Sequence, residues 1–197
     1  DVPDMSVKKL GVIGAGLMGA GIAYVAAKAG IEVVLLDQNQ EAAEKGKAYS
    51  TNILDKAISR GRSTVDKKQA LLANITATTE YSNLQGCDLV VEAVFEDMKV
   101  KANATKLAEA QLDNSAIFAT NTSTLPISDL AKASNNAERF IGIHFFSPVD
   151  KMALVEIIKG KDTGSEAVAK ALDFVRQIGK TPIVVNDCPG FFINRVL

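Results

Sequence analysis

Three closely spaced glycines near the N-terminus constrain the fold more than any other feature of this chain. Gly14, Gly16 and Gly19 form a G-x-G-x-x-G pattern directly after the short apolar run 9–13. Helix-forming residues then continue to Ala29, and a glycine follows them. The pattern predicts a β-strand that turns tightly into an α-helix, as at the start of a βαβ unit.

An acidic residue follows the second predicted strand. That strand spans residues 31–36 and ends in Asp37, eighteen residues after Gly19. An acid at this distance accepts hydrogen bonds from the ribose hydroxyls of a dinucleotide, and its charge repels the 2′-phosphate of NADP. The loop and Asp37 therefore predict an NAD site; a glycine turn that only packs the helix is the alternative. The predicted cofactor-binding residues of the loop are Gly14, Gly16, Leu17, Met18 and Gly19.

Strand-like apolar runs alternate with helical stretches along the whole chain. Runs such as 87–93 and 116–120 are apolar without clean alternation, as is typical of strands that are covered on both faces. A short helix is predicted over 127–133, a helix over 166–178 and a last strand over 182–185. This order predicts an α/β fold, with a Rossmann-like, doubly wound, mostly parallel sheet and helices on both faces.

Composition excludes several classes of protein. A net charge of −1 argues against nucleic-acid binding, and 47% apolar residues argue against disorder. No segment approaches the ~20 apolar residues of a membrane-spanning helix. Cys87 and Cys188 have neither metal-ligand spacing nor a disulfide pattern. We expect a cytoplasmic protein with no metal site, no nucleic-acid partner and no integral membrane segment.

The two ends of the chain suggest a domain taken from a longer polypeptide. The chain starts at Asp1 instead of Met, and its last residues, 190–197, form an apolar tail. One face of a helix in that tail would need a partner to cover it. We therefore interpret residues 1–197 as a single excised NAD-binding domain.

The only histidine of the sequence, His144, lies at the end of a predicted strand. The next apolar strand contains Glu156, and a carboxylate in a buried strand is costly unless it is paired. If neighbouring strands bring the two side chains together, Glu156 orients the imidazole and His144 acts as a general base near neutral pH. An ordinary buried ion pair is the alternative.

A polar loop, residues 120–124, follows another predicted strand with the sequence TNTST. Its hydroxyl and amide groups lie at the strand end where ligands bind in open parallel sheets. They are suited to hydrogen-bond a substrate oxygen, or equally to cap the short helix that follows.

These motifs together resemble the L-3-hydroxyacyl-CoA dehydrogenase family, and the resemblance extends from Lys8 to Leu197. Residues 179–190 look most like the bacterial multifunctional fatty-acid-oxidation α subunits of that family. The segments that carry the resemblance are the glycine loop 14–19, Asp37, Asn121–Ser123, His144–Pro148, Leu154–Ile157 and Pro189–Arg195.

The resemblance implies a role for several residues. His144 is implied as the catalytic base with Glu156 as its partner, and Ser123 and Asn194 as hydrogen-bond partners of the reacting oxygen. Glu96 and Lys101 are implied as cofactor contacts or as groups that close the site, and Asn121 as a cofactor contact near the nicotinamide ribose.

The resemblance also implies partners. It implies an acyl-CoA substrate, NAD as cofactor, and a C-terminal helical domain that this chain lacks, so the fragment is expected to bind NAD but to be catalytically incomplete. A hydratase region and a thiolase subunit are implied as parts of a multienzyme complex. Two alternatives stay open: a dehydrogenase of a small β-hydroxy acid or sugar acid, and a non-catalytic NAD-binding module.

Overall fold

A computed structural model describes residues 4–187, which form one eight-stranded sheet covered by six α-helices. The strands are β1 (Lys9–Ile13), β2 (Glu32–Leu36), β3 (Ile75–Thr78), β4 (Leu89–Glu92), β5 (Ile117–Thr120), β6 (Phe140–Phe145), β7 (Leu154–Lys159) and β8 (Thr181–Asn186). The helices are α1 (Leu17–Lys28), α2 (Gln40–Ser59), α3 (Val65–Ala73), α4 (Met98–Glu109), α5 (Ile127–Leu130) and α6 (Ser165–Gln177).

The strands lie in the order β3-β2-β1-β4-β5-β6-β7-β8. Strands β1 to β6 are mutually parallel, β7 runs antiparallel to β6, and β8 runs parallel to β7. The strand order reverses between β1 and β4, and ligands bind at such a switch point, outside the carboxyl ends of the strands. The predicted mostly parallel, doubly wound sheet is confirmed.

The hydrophobic core consists of two layers, one on each face of the sheet. Strand residues such as Val12 and Leu35 pack with α1, α2, α3 and α6, whereas their neighbours Ile13 and Val34 pack with α4 and α5. Successive side chains of a strand point to opposite faces, so strands buried on both sides need apolar residues at nearly every position. This explains the unbroken apolar runs of the sequence.

The boundaries of several elements differ from the prediction by a residue or two, and two of them are informative. The helix predicted over 127–133 stops at Leu130 and continues only as a 3₁₀ turn over Ala131–Ala133. The last strand extends the predicted run by one residue at each end, to Thr181 and Asn186. It lies at an edge of the sheet, where its Pro182 is tolerated because one side of the strand needs no ladder partner.

Among residues 4–187, no helix combines the length and the apolar character needed to cross a membrane. Nor does this part of the chain gather three or more His, Cys, Asp or Glu side chains in a way that could hold a metal ion.

Candidate active site

The glycine loop joins β1 to α1 with almost no space between the two elements. Gly14 has a φ of +99°, and a Cβ built there would lie 2.6 Å from the carbonyl oxygen of Ala93. A Cβ on Gly19 would lie only 1.7 Å from the carbonyl oxygen of Gly14. The first turn of α1 therefore packs directly on the loop, which only glycines at these two positions permit.

Gly16 differs from the other two glycines, because a Cβ built there would meet no protein atom within 4 Å. Gly16 is also the N-cap of α1, where no side chain caps the helix and no acidic residue lies in the first turn. The free N–H groups and the positive end of the helix dipole are thus left for an anion. This is the arrangement that binds the pyrophosphate of a dinucleotide.

Asp37, at the end of β2, is hydrogen-bonded to the glycine loop. Its carboxylate accepts the N–H of Ala15 at 2.7 Å and the N–H of Gln38 at 2.6 Å. These bonds hold the carboxylate at the mouth of the loop, while the side chain stays partly exposed. A carboxylate oxygen has two lone pairs, so acceptor capacity remains for ribose hydroxyls.

A cavity of about 680 Å³ lies over the glycine loop and the ends of β2 and β4. This volume is typical of a site for a large organic ligand. Leu17 and Phe95 form part of an exposed apolar rim, with 62% and 81% of their surface accessible. Burial raises the pKa of Tyr81 in the same cavity, helped by the charges of Asp37 and Glu92, so its hydroxyl stays protonated as a donor.

His144 and Glu156 are paired as the sequence predicts. They face each other across the antiparallel ladder of β6 and β7, with the His144 Nδ1 and the Glu156 Oε1 3.1 Å apart. Their side chains are only 11% and 8% exposed. An ionised carboxylate only accepts hydrogen bonds, so Nδ1 carries the proton and Nε2 is left as the basic nitrogen.

A second cavity, of about 260 Å³, opens beside His144. Met18 lines both this cavity and the larger one, so the two are adjacent. The remaining residues that line the smaller cavity are Glu96, Asn121, Ser123, His144, Phe145, Phe146 and Ser147.

In the polar loop after β5, one side chain hydrogen-bonds within the protein and two others line the smaller cavity. Thr122 is buried, donates a hydrogen bond to Glu96 and accepts the N–H of Leu125 at 3.1 Å. Asn121 and Ser123 line the smaller cavity instead. The short helix α5 has Pro126 as its N-cap residue and no side-chain cap, so the loop hydroxyls do not cap it.

The predicted roles of Lys101, Glu96 and Asn194 stay predictions. Lys101 lies in neither cavity lining: its ammonium is buried and bonded to Glu92. Its predicted cofactor contact therefore stays a prediction, as does that of Glu96, which lines the smaller cavity. Asn194 lies outside the described residues.

A comparison with known families matches residues 9–188 to the NAD-binding domain of 3-hydroxyacyl-CoA dehydrogenase. The chain belongs to this family. The family and the NAD cofactor predicted from the sequence are confirmed, and the residues of the larger cavity suit that cofactor.

Several named proteins are similar to this NAD-binding domain in sequence or in fold. It is 45% identical over 192 residues to the fatty acid oxidation complex subunit alpha of Colwellia psychrerythraea. The aligned residues make up 98% of this chain and 27% of the Colwellia protein. Its fold matches (S)-3-hydroxybutyryl-CoA dehydrogenase from Ralstonia eutropha with a TM-score of 0.92 and 39% identity, over 96% of this chain and 67% of that one. It matches 3-hydroxybutyryl-CoA dehydrogenase from Escherichia coli with a TM-score of 0.91 and 35% identity, over 96% of this chain and 40% of that one.

Sequence reasoning missed two residues of this dehydrogenase domain that the structure brings to the site. Glu92 is the last residue of β4, and its side chain is fully buried beneath the loops that follow β4 and β5. Ser147 lies within the segment His144–Pro148 and lines the smaller cavity. A charged residue inside the apolar run 87–93 was the available signal for Glu92.

Proposed function

We propose that this chain supplies the NAD site and the catalytic base of an enzyme that oxidises L-3-hydroxyacyl-CoA to 3-oxoacyl-CoA. The observation that carries the proposal is the His144–Glu156 pair. His144 lines the smaller cavity, which is adjacent to the larger cavity over the glycine loop, the dinucleotide cavity. Binding of a nucleotide alone needs no paired base, whereas oxidation of an alcohol does. The names of the relatives in Colwellia, Ralstonia and Escherichia support this substrate class.

In the proposed reaction His144 removes the hydroxyl proton of the substrate. The O–H bond breaks, the proton goes to Nε2, and the oxygen electrons form the C3 carbonyl as the hydride leaves C3. NAD, when bound, supplies the hydride acceptor. Glu156 stabilises the imidazolium as it forms, because the pair lies in a poorly hydrated site where charge interactions are strong.

Other residues orient the reactants. Ser123 and Asn194 are proposed to hydrogen-bond the reacting oxygen, and Asn121 to lie near the nicotinamide ribose. Glu96 is proposed to contact the cofactor or to close the site. These roles position the reacting atoms, which is a major part of the rate increase in such reactions.

We also propose that the chain is one domain of a longer polypeptide. It spans 27% of the length of the Colwellia relative, which is a subunit of a multifunctional complex. A C-terminal helical domain would complete the acyl-CoA site, and the isolated chain would bind NAD with little turnover. A hydratase region, a thiolase subunit and a location in the bacterial cytoplasm belong to the same proposal.

The decisive experiment compares His144→Ala with the unchanged protein in the complete polypeptide. NADH formation from 3-hydroxybutyryl-CoA is measured beside that from free 3-hydroxybutyrate. General-base catalysis is worth about 10²–10⁴-fold, so the variant should lose at least that much turnover and keep its NAD affinity. Turnover of the free acid in preference to the thioester would favour the small hydroxy-acid alternative. Undiminished activity of the variant would refute His144 as the base.

A further inference from the structure

The most unusual group outside the proposed chemistry is a buried ion pair beneath the site. Glu92 ends β4 and Lys101 lies in the second turn of α4, with 0% and 1% of their side chains exposed. The Lys101 Nζ and the Glu92 Oε2 are 2.7 Å apart. Such pairs contribute little net stability, because removing two charges from water offsets their attraction.

Every strong contact of the pair goes to the ends of β4 and β5. Glu92 accepts the Thr120 hydroxyl at 2.6 Å and the N–H of Val94 at 2.9 Å. Lys101 donates to the carbonyl oxygen of Asn121 at 3.1 Å and more weakly to that of Val94 at 3.4 Å. A lysine has three N–H donors, and all three are used by these two carbonyls and Glu92.

Both loops held by the pair carry residues of the site. The segment 93–96, after β4, lines the dinucleotide cavity and places Glu96 in the smaller one. The loop after β5 contains Asn121, whose side-chain oxygen accepts the N–H of Phe145 at 3.0 Å. Phe145 follows His144 directly, so a chain of hydrogen bonds runs from the ion pair to the strand that carries the base.

We propose that Glu92 and Lys101 are positioning residues that fix the two loops relative to each other and to His144. In this role Lys101 donates to two backbone carbonyl oxygens and to Glu92, so it holds both loops whether or not it also contacts NAD. The link to catalysis rests on the proposed function, whereas the link to loop geometry and NAD affinity does not.

The test is the double variant Glu92→Gln/Lys101→Met, which removes both charges and leaves side chains of similar size. Lys101→Met alone leaves a buried carboxylate without its cation and should lower the melting temperature strongly, and the second substitution should restore it. Turnover should not be restored: kcat should stay about tenfold or more below wild type, because small misplacements at a reacting centre are costly. The KM for the acyl-CoA should change less than kcat.

A second measurement follows the loops directly. In the double variant the Phe145 amide should exchange with solvent faster, because Asn121 is no longer held, while the Ile141 amide in the middle of β6 stays protected. NAD affinity, measured by calorimetry, should also fall in Thr120→Val, which loosens Glu92 but leaves Lys101 in place, so that a direct contact of Lys101 with NAD does not account for the change. Lys106→Met, an exposed position on the same helix, is the matched control and should change none of these values.

The outcomes separate the two proposals. Wild-type kcat, NAD affinity and Phe145 exchange in the folded double variant would overturn the positioning role and leave only a structural pair. If the wild type itself fails to oxidise the thioester, the proposed function is wrong, and the exchange and affinity measurements still decide the positioning role. Should the double variant not fold, Thr120→Val, which removes only one donor to Glu92, takes its place with the same expected directions.

Discussion

Replacing Gly16 and Gly19 separately by alanine tests whether the glycine loop is built for a ligand or only for packing. At Gly16 the added methyl meets no protein atom within 4 Å, and the backbone has an ordinary φ of −71°. The free energy of unfolding should therefore change by less than about 1 kcal/mol, because the loss of glycine as an N-cap opposes the reduced flexibility of the unfolded chain.

The same methyl at position 16 projects into the space where the pyrophosphate must approach the backbone. Forcing an extra methyl into a close contact costs about 1–3 kcal/mol. Since 1.4 kcal/mol is a tenfold change in affinity, the Kd for NAD should rise about fivefold to 150-fold. Gly19→Ala should behave differently, because its methyl would lie 1.7 Å from the carbonyl oxygen of Gly14 and force the backbone apart. That variant should lose stability as well as NAD binding.

Calorimetric titration with NAD and thermal unfolding, both on the same preparations, provide the two readouts. The chain contains no Trp, so binding is better followed by heat than by protein fluorescence. An unchanged Kd for Gly16→Ala would refute the close approach of the pyrophosphate at this glycine. An unchanged melting temperature for Gly19→Ala would refute the tight packing of α1 on the loop.

Three further predictions follow from the same structure. Glu156→Gln keeps the shape of the side chain but removes its charge. Because a hydrogen bond to a charged group is worth about 1.5–3 kcal/mol, kcat should fall about tenfold to 150-fold. Glu166→Gln, at an exposed position, is the control, and a wild-type kcat for Glu156→Gln would contradict the role of Glu156. Asp37→Ala should weaken NAD binding and improve NADP binding relative to it, and an unchanged ratio of the two Kd values would exclude the proposed ribose contact. Burial raises the pKa of the Cys87 thiol to about 12 from an ordinary value of 9.0, so the folded protein keeps the thiol neutral. Cys87 should therefore resist alkylation at neutral pH until the protein is unfolded, and its contribution to stability should decline as pH rises above about 9; peptide mapping of the alkylated protein measures the first effect.

Much of the fold follows from local patterns in the sequence. The glycine loop and Asp37 are local signals, since each needs only its own strand or helix to be recognised. The pairing of His144 and Glu156 was also predictable, because a polar side chain in each of two consecutive apolar strands requires a partner.

Contacts between distant segments were harder to predict. Which lysine of α4 is buried depends on how α4 packs on β4 and β5, and Lys99, Lys101 and Lys106 look alike in the sequence. The extent of α5 was overestimated because helix-forming residues continue after Leu130, although the chain there turns toward β6. Tertiary packing decides both cases, and local propensity does not.

The reversal of direction between β6 and β7 has a consequence for how this protein tolerates insertions and deletions. Glu156 faces His144 only because both residues occupy matching positions of one ladder. Deleting a single residue inside β7 would turn every following side chain to the other face of the sheet and carry the carboxylate away from the imidazole. Lengthening the connection over 146–153 would leave the ladder in register, so the acid and the base would stay together.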